Sequence, residues 1–476
     1  MTDYGAIDGN QASESDHLQP RNDSLPSDKA SEGLLSPWAR ATAALSIVLI
    51  VALSYRNSFN SKPSINLALS DEDFHDQDEA QFYDDQLVDH FNGDTSTWSN
   101  RYYKSTNYFK GPGHPIFMVV GGEGALDHGM LYPFVTQHLA PYFGAAVIQI
   151  EHRFYGPYQP ITGREATVPE LIELLTPQQA MADHIQLTKS FKEELNCLQY
   201  DKSSENYCPV VSVGGSYPGF LSAMFRLAYS NFIDISYASS APLKLYDQTA
   251  DQNVFYDIVT KAAERSSEGC ADAVSSALQE AVEMINEASS VKEAVKSMNM
   301  CVDTVPEYIT TLKTLSADVM MAIGFSFADF DMGAYPPGPD LGIYKACQVF
   351  QKEDSNSLKK VANFFQLLKA DEDEEEEWGL VGDEGSCFDL SVFLPDGDNP
   401  RIPTSDWSGS GGGNDGKMWD FQLCTTLVDQ IGFSAESMFP SRLWTYKDLT
   451  TYCQLRYGDK VTPQPLALVR NWALAI

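Results

Sequence analysis

The residues best suited to chemistry lie in VVSVGGSYPGFLSAMFRLAY, residues 210–229. An apolar run enters Gly214 and Gly215, Ser216 stands at the turn, and a helix-forming run leaves at once. In such a strand–turn–helix context, small neighbours let the backbone take a strained turn that lifts a serine hydroxyl clear as a nucleophile. The helix start and the Tyr217 amide would then stabilise an oxyanion. The G-x-S-x-G spacing is met on its near side only, because Pro218 replaces the second glycine. Proline is tolerable there, since the first helical turn needs no amide donor. A second glycine loop, Gly121-Gly122-Glu123-Gly124, closes an earlier apolar run. Glycine permits close approach, so an amide at Gly122 or Glu123 would be the second oxyanion donor. Glu123 itself reads equally well as a recognition carboxylate or as a turn residue.

These residues need a scaffold, and the hydropathy pattern supplies one. HPIFMVVGGEG (114–124), GAAVIQIEHRFYG (144–156), CPVVSVGG (208–215) and IDISYASSAP (233–242) are short uninterrupted apolar runs, as expected of strands buried on both faces. Between them, Thr176-Pro177-Gln178-Gln179 offers an N-cap, a first-turn proline and a capping-box glutamine, and another helix follows Pro218. Strands alternating with helices imply a parallel sheet in an α/β protein. From about residue 253 helix formers replace the strand pattern, as in ADAVSSALQEAVEMINEASSVKEAVKSM.

With 66 acidic against 32 basic residues the net charge is -34, which excludes nucleic acid as a partner. The acidic run 371–377 lacks metal-ligand spacing and reads as a solvated loop, so neither metal nor cofactor is expected. SDWSGSGGG at 405–413 reads as a flexible linker. The eight cysteines, all between 197 and 453 and without a CxxC pair, read as up to four disulfides formed in an oxidising compartment, against the alternative of eight buried thiols. Pairing of neighbours, such as Cys197 with Cys208 and Cys270 with Cys301, is the simple expectation, although spacing leaves the connectivity open. Upstream, ATAALSIVLIVALSY at 41–55 is charge-free and reads as a signal anchor with a cytosolic N-terminus and a lumenal remainder; a late-cleaved signal is the alternative. Tyr4-Gly-Ala-Ile7 has the form of an endosomal sorting signal. The expected location is therefore a single-pass membrane protein of the endosome, lysosome, vacuole or secretory pathway.

QLVDHFN (86–92), RYY (101–103), FMVVGGEGAL, EHRFYGPYQP, LTPQQAMADH (175–184), GGSYPGFLSAMFRL and SSAPL together resemble the serine peptidase family of lysosomal Pro-X carboxypeptidase, dipeptidyl peptidase II and thymus-specific serine protease. MWDFQLC (418–424), MFP and YCQLRYG extend the similarity to about residue 470, and the spelling GGEGAL and GGSYPG looks most like the thymus-specific branch. The resemblance implies an α/β-hydrolase core interrupted by a mostly helical cap, with exopeptidase activity directed at bonds after proline. The implied division is a disordered cytosolic tail over 1–40, the anchor at 41–55, an acidic stalk over 56–80, the first part of the core over 81–245, the cap with its acidic loop over 246–415, and an incomplete return to the core over 416–476. Peptides are the implied substrates, a cap-lined hydrophobic pocket would take proline, and a homodimer is one assembly to test for. Two residues after Cys424 the family usually has Glu, where this chain has Thr426.

A serine hydroxyl needs a base, and in α/β-hydrolases the order is Ser, then Asp or Glu, then His. The histidines stand at 17, 75, 90, 114, 128, 138, 152 and 184, so none follows Ser216. The family's aspartate and histidine segments are expected beyond Trp472. Three readings compete: an incomplete gene model; a shortened, catalytically inactive, membrane-tethered peptide-binding pseudoenzyme; and an upstream histidine acting as substitute base. Sequencing the 3′ end of the mature transcript separates the first two. Continuation into an aspartate and then a histidine is expected of the enzyme, and a stop directly after Ile476 of the pseudoenzyme.

Overall fold

The computed structural model describes residues 79–126, 132–307, 309–334, 338–353, 355–370, 387–390 and 413–468. The expected tail, anchor and sorting signal, and the acidic run at 371–377, lie outside the described residues. Among those described, no helix is long and apolar enough to cross a membrane.

Six strands form one sheet: β1 (Gln81–Leu87), β2 (Thr97–Ser105), β3 (Ile116–Val120), β4 (Ala146–Ile150), β5 (Val210–Gly215) and β6 (Ile235–Ser239), in the order β1-β2-β4-β3-β5-β6. The last four are the four apolar runs and pair in parallel, whereas β1 and β2 join antiparallel. Every residue of β3 and β4 is buried, which explains why neither shows polar alternation. Helices α1 (Pro177–Glu194) and α2 (Ser216–Ala228) cover one face, with Leu187, Phe191, Phe220 and Phe225 packed in the core beneath the sheet. The order and the βα connections are those of an α/β-hydrolase core.

The start of α1 departs from expectation in one respect. Thr176 accepts from the Gln179 amide as an N-cap should, but the Gln179 side chain does not close a capping box. It donates to Asp89 at 2.7 Å and accepts from the His90 amide at 3.0 Å, tying the loop after β1 to the helix. Satisfying buried polar groups of another segment outweighs a local cap that water could replace.

A second hydrophobic cluster is helical. It is built from α3 (Val254–Ser266), α4 (Cys270–Glu287), α5 (Leu312–Met332), α6 (Gly342–Gln351) and α7 (Ser357–Ala370). On α4 the buried residues Val274, Leu278, Ala281 and Ile285 recur at helical spacing, so one face packs and the other is solvated. Phe433, Met438 and Phe439, expected in the returning part of the core, pack in this cluster instead. The return to the first cluster is made by α8 (Gly413–Leu423) and α9 (Tyr446–Tyr457), joined by Cys424–Cys453.

All eight cysteines are paired. Cys197–Cys208 matches the neighbour rule, but Cys270 pairs with Cys347 and Cys301 with Cys387, not with each other. The reason is helical packing: Cys270 opens α4 and faces α6, while Met300 bridges to Phe388 and thereby sets Cys301 beside Cys387.

At the heart of the first cluster sits a buried ion pair. Arg153 donates Nε and Nη2 to the two oxygens of Asp183, both at 2.6 Å, and neither side chain is more than 1% exposed. Asp183 also receives Gln86 at 2.7 Å and His90 at 2.8 Å, and Arg153 donates to the carbonyls of Leu87, Val88 and Leu174. Burial alone would raise the Asp183 carboxyl, but the Arg153 charge and these hydrogen bonds hold it below the usual carboxylate range. A depressed carboxylate contributes stability above its unfolded value of about 3.9 and loses it as pH falls through the folded value. The pair is therefore intact at mildly acidic pH. Asp183→Asn is expected to cost about 3–5 kcal/mol, read as a lower denaturation midpoint at pH 5 and pH 7 alike; a midpoint within error of wild type at both would refute this account.

Candidate active site

The turn between β5 and α2 has the geometry of a nucleophile elbow. Gly215 is extended, with φ −117° and ψ 155°, and Ser216 then takes φ +55°, a left-handed conformation costly for a non-glycine residue. Ser216 is exposed while Tyr217 through Leu221 are buried, so the hydroxyl stands clear of the sheet. Close approach requires glycine at Gly214, where a Cβ would lie 2.2 Å from the Pro218 carbonyl oxygen. Pro218 sits in the first turn of α2, where no intrahelical donor is missed.

The glycine loop is pressed against this turn. A Cβ on Gly122 would meet Pro218 Cγ at 2.4 Å, so the Gly122–Glu123 peptide and the elbow share one wall. Both ends of the loop are fixed. The Gly121 amide donates to His184 Nε2 at 3.2 Å, the Ala125 amide to Asp415 at 2.9 Å, and the Leu126 amide to Glu151 at 2.9 Å. Glu151 is itself paired with Arg101, and the Leu126 carbonyl accepts from Tyr103 at 2.8 Å. The Glu123 carboxylate bonds its own backbone amide, and burial pushes it up to about 7. Tyr132 accepts from the Gly215 amide at 3.2 Å and so overlies the elbow beside this loop.

Under the elbow, Tyr217 donates to His152 Nε2 at 2.9 Å and accepts from Gln422 at 3.3 Å, while Gln422 also receives the Tyr155 hydroxyl. His152 donates Nδ1 to the Arg153 carbonyl at 2.7 Å, and burial lowers it to about 3, so it is neutral. His184 is likewise lowered by burial, and its Nδ1 donates to the Ala180 carbonyl at 2.8 Å. Both ring nitrogens of both residues are thus occupied structurally. That leaves neither suited to take a proton from Ser216.

A match to the serine carboxypeptidase S28 family profile spans residues 86–469, which includes the elbow, the glycine loop and their supports. The chain belongs to the serine carboxypeptidase S28 family. It is 23% identical over 433 residues to human lysosomal Pro-X carboxypeptidase, covering 90% of this chain and 79% of that one. Human thymus-specific serine protease is 32% identical over 218 residues, 45% of this chain and 40% of that protein. This S28 member is accordingly a serine peptidase, with four disulfides that mark maturation in an oxidising compartment.

Sequence reasoning placed Ser216, Tyr217, Gly122 and Glu123, and the fold brings all four to one place. It missed Tyr132, Asp415 and Gln422. Asp415 follows a glycine run that reads as linker, and only its contacts with Ala125 and Gly156 reveal a clamp. Gln422 lies in MWDFQLC, whose likeness to the family was the available signal. A cavity of about 510 Å³ in the cap, lined by Arg265, Asp331, Leu341 and Tyr344 among others, shares no residue with the elbow and is not assigned to proline.

Gly214→Ala is expected to displace the elbow without unfolding the sheet. Its measure is loss of Ser216 labelling by a fluorophosphonate in the protein made from the complete transcript, with the far-UV spectrum unchanged; labelling at the wild-type rate would contradict the packing argument.

Proposed function

We propose that this chain is an exopeptidase that cleaves peptides after proline through an acyl-enzyme on Ser216. The observation that carries the reading is the left-handed, exposed Ser216 at the β5–α2 turn, walled by the Gly122–Glu123 loop. Ser216 Oγ attacks the scissile carbonyl, and the Tyr217 amide with an amide of Gly122 or Glu123 receives the negative oxygen. The hydroxyl proton passes to a histidine and from it to the leaving amine; water then repeats the sequence on the ester. Preference for proline rests on the Pro-X carboxypeptidases to which the chain is similar. Residue 41–55 would tether the protein with this domain in the lumen of the lysosomal or secretory pathway.

No histidine follows Ser216 in the 476 residues, and His152 and His184 are engaged elsewhere. The mechanism therefore needs a histidine other than these two, and their structural engagement supports, as second reading, a peptide-binding protein without hydrolysis. Protein made from the complete transcript is expected to hydrolyse proline peptides, with Ser216→Ala lowering kcat by about 10⁴-fold or more. Peptide binding without turnover, unchanged in Ser216→Ala, would establish the second reading.

A further inference from the structure

We propose that Tyr132 is a catalytic residue: its hydroxyl, seated on the Gly215 amide, donates a third hydrogen bond to the negative oxygen that forms when Ser216 attacks a carbonyl. The proposal rests on the reading of Ser216 as the nucleophile.

Position carries the argument. The Tyr132 hydroxyl lies 3.2 Å from the amide nitrogen of Gly215, the residue immediately before the nucleophile. The pairing of β5 with β3 ends at Val213, so the phenol takes an amide beyond the last β3 pair. A Cβ on Gly215 would sit 3.2 Å from the same oxygen and 4.0 Å from ring carbon Cε1, so glycine there is what lets the phenol close on the turn. Adjacent Cα atoms are only about 3.8 Å apart, which leaves the hydroxyl one residue short of Ser216. The ring packs against the apolar cluster that contains Val119 of β3 and Val213 of β5. It thus stands at the end of β3 from which the Gly122–Glu123 loop departs, the side on which the oxyanion amides lie.

The side chain is held there at a cost. Tyr132 has φ +62° and Ser216 φ +55°, so two left-handed residues meet across the Gly215 amide. That conformation is costly for any side chain other than glycine, and it persists only where the surroundings over-determine it. The Tyr132 carbonyl accepts from the Val135 amide at 2.8 Å, which fixes the main chain at the start of the helical segment Phe134–Leu139. Phenylalanine would fill the apolar layer equally well. What the hydroxyl adds is one accepted bond and one proton, and among the described residues that proton has no acceptor. Burial first, and the Glu123 charge after it, hold the phenol above its usual value against the opposing bond from Gly215, so it stays a donor.

Reaction supplies the missing acceptor. As Ser216 Oγ bonds the carbonyl carbon, the C=O electron pair moves onto oxygen and the serine proton goes to the base. Tyr132 keeps its own proton and shares it with that oxygen until the pair returns and the leaving group departs. The Gly215 amide, by donating into the phenol oxygen, strengthens the same donor.

The test compares Ala-Pro ethyl ester with its thionoester, whose carbonyl sulfur accepts hydrogen bonds poorly, on protein made from the complete transcript. Tyr132→Phe keeps the ring and removes the donor. Its kcat on the ester is expected to fall by about 100-fold, the scale of one oxyanion donor, with KM within about threefold of wild type. The thionoester should lose no more than about threefold, so the oxygen-to-sulfur ratio of kcat falls. A hydroxyl that merely anchors Gly215 would slow both esters alike; an unchanged ratio therefore overturns the proposal, as does an unchanged kcat. If the far-UV spectrum shows that Tyr132→Phe does not fold, a crystal structure of wild type with Ala-Pro aldehyde decides. Tyr132 Oη is expected within hydrogen-bond distance of the hemiacetal oxygen, and a separation beyond about 3.5 Å overturns the proposal. Absence of any Ser216-dependent hydrolysis in wild type overturns the nucleophile reading and this proposal with it, whereas hydrolysis with an unchanged ratio overturns this proposal alone.

Discussion

The Arg153–Asp183 pair is the constraint on which the rest of the hydrolase core depends. Two opposite charges with almost no solvent contact are stable only while each keeps its partners, and those partners come from three separate segments. Gln86 belongs to β1 and His90 to the loop after it, Arg153 to the turn after β4, and Asp183 to α1. Moving any one of them leaves a buried charge short of hydrogen bonds. The residues that adjoin Arg153 inherit its fixed position: Glu151 orders the glycine loop from one side and His152 supports Tyr217 from below. A structural ion pair thus sets the coordinates of the elbow without touching the reacting atoms.

Strain is concentrated where this scaffold is stiffest. A left-handed serine costs on the order of 1–3 kcal/mol, and it persists only where its surroundings over-determine it. Here the constraint is contact on every side: β5 pairs with β3 and β6, Gly214 meets the Pro218 carbonyl, Gly122 meets the Pro218 ring, and the Gly215 amide is held by Tyr132. Proline at 218 tightens the arrangement, since its ring fills the space that Gly122 leaves open.

β3, β4 and most of β5 were legible because burial on both faces leaves uninterrupted apolar runs; β6 carries a similar run but is largely exposed, against expectation; and Ser216 was legible because the elbow needs small residues at fixed offsets. The cap was legible in class but not in wiring: helix composition is local, whereas Cys270–Cys347 and Cys301–Cys387 close over 77 and 86 residues. Gln179 illustrates a further limit. Its spacing from Thr176 suits a capping box, yet Asp89 and the His90 amide claim it, and nothing near Gln179 in sequence encodes that demand. Asp415 and Gln422 act across more than 200 residues, on Ala125 and Tyr217. Such pairings exist only in the folded chain.

The two edges of the sheet differ in a way that bears on the site. β1 and β2 lie antiparallel on one side, whereas β6 on the other exposes Ile235 at 57% and Tyr237 at 51%, with Tyr237 leaning on Phe134. Apolar exposure on an edge strand weakens that strand's own anchoring. It bears on the elbow directly, because Gly214 and Gly215, which lead into Ser216, pair with Ala238 and Ser239 of β6, whereas pairing with β3 ends at Val213; Ser212 also bonds Ser222 of α2 at 2.9 Å. Ser222 continues the same hydroxyl chain to Ser236 of β6, so β5, α2 and β6 brace one another. The nucleophile's geometry therefore depends on β6 as well as on β3 and α2.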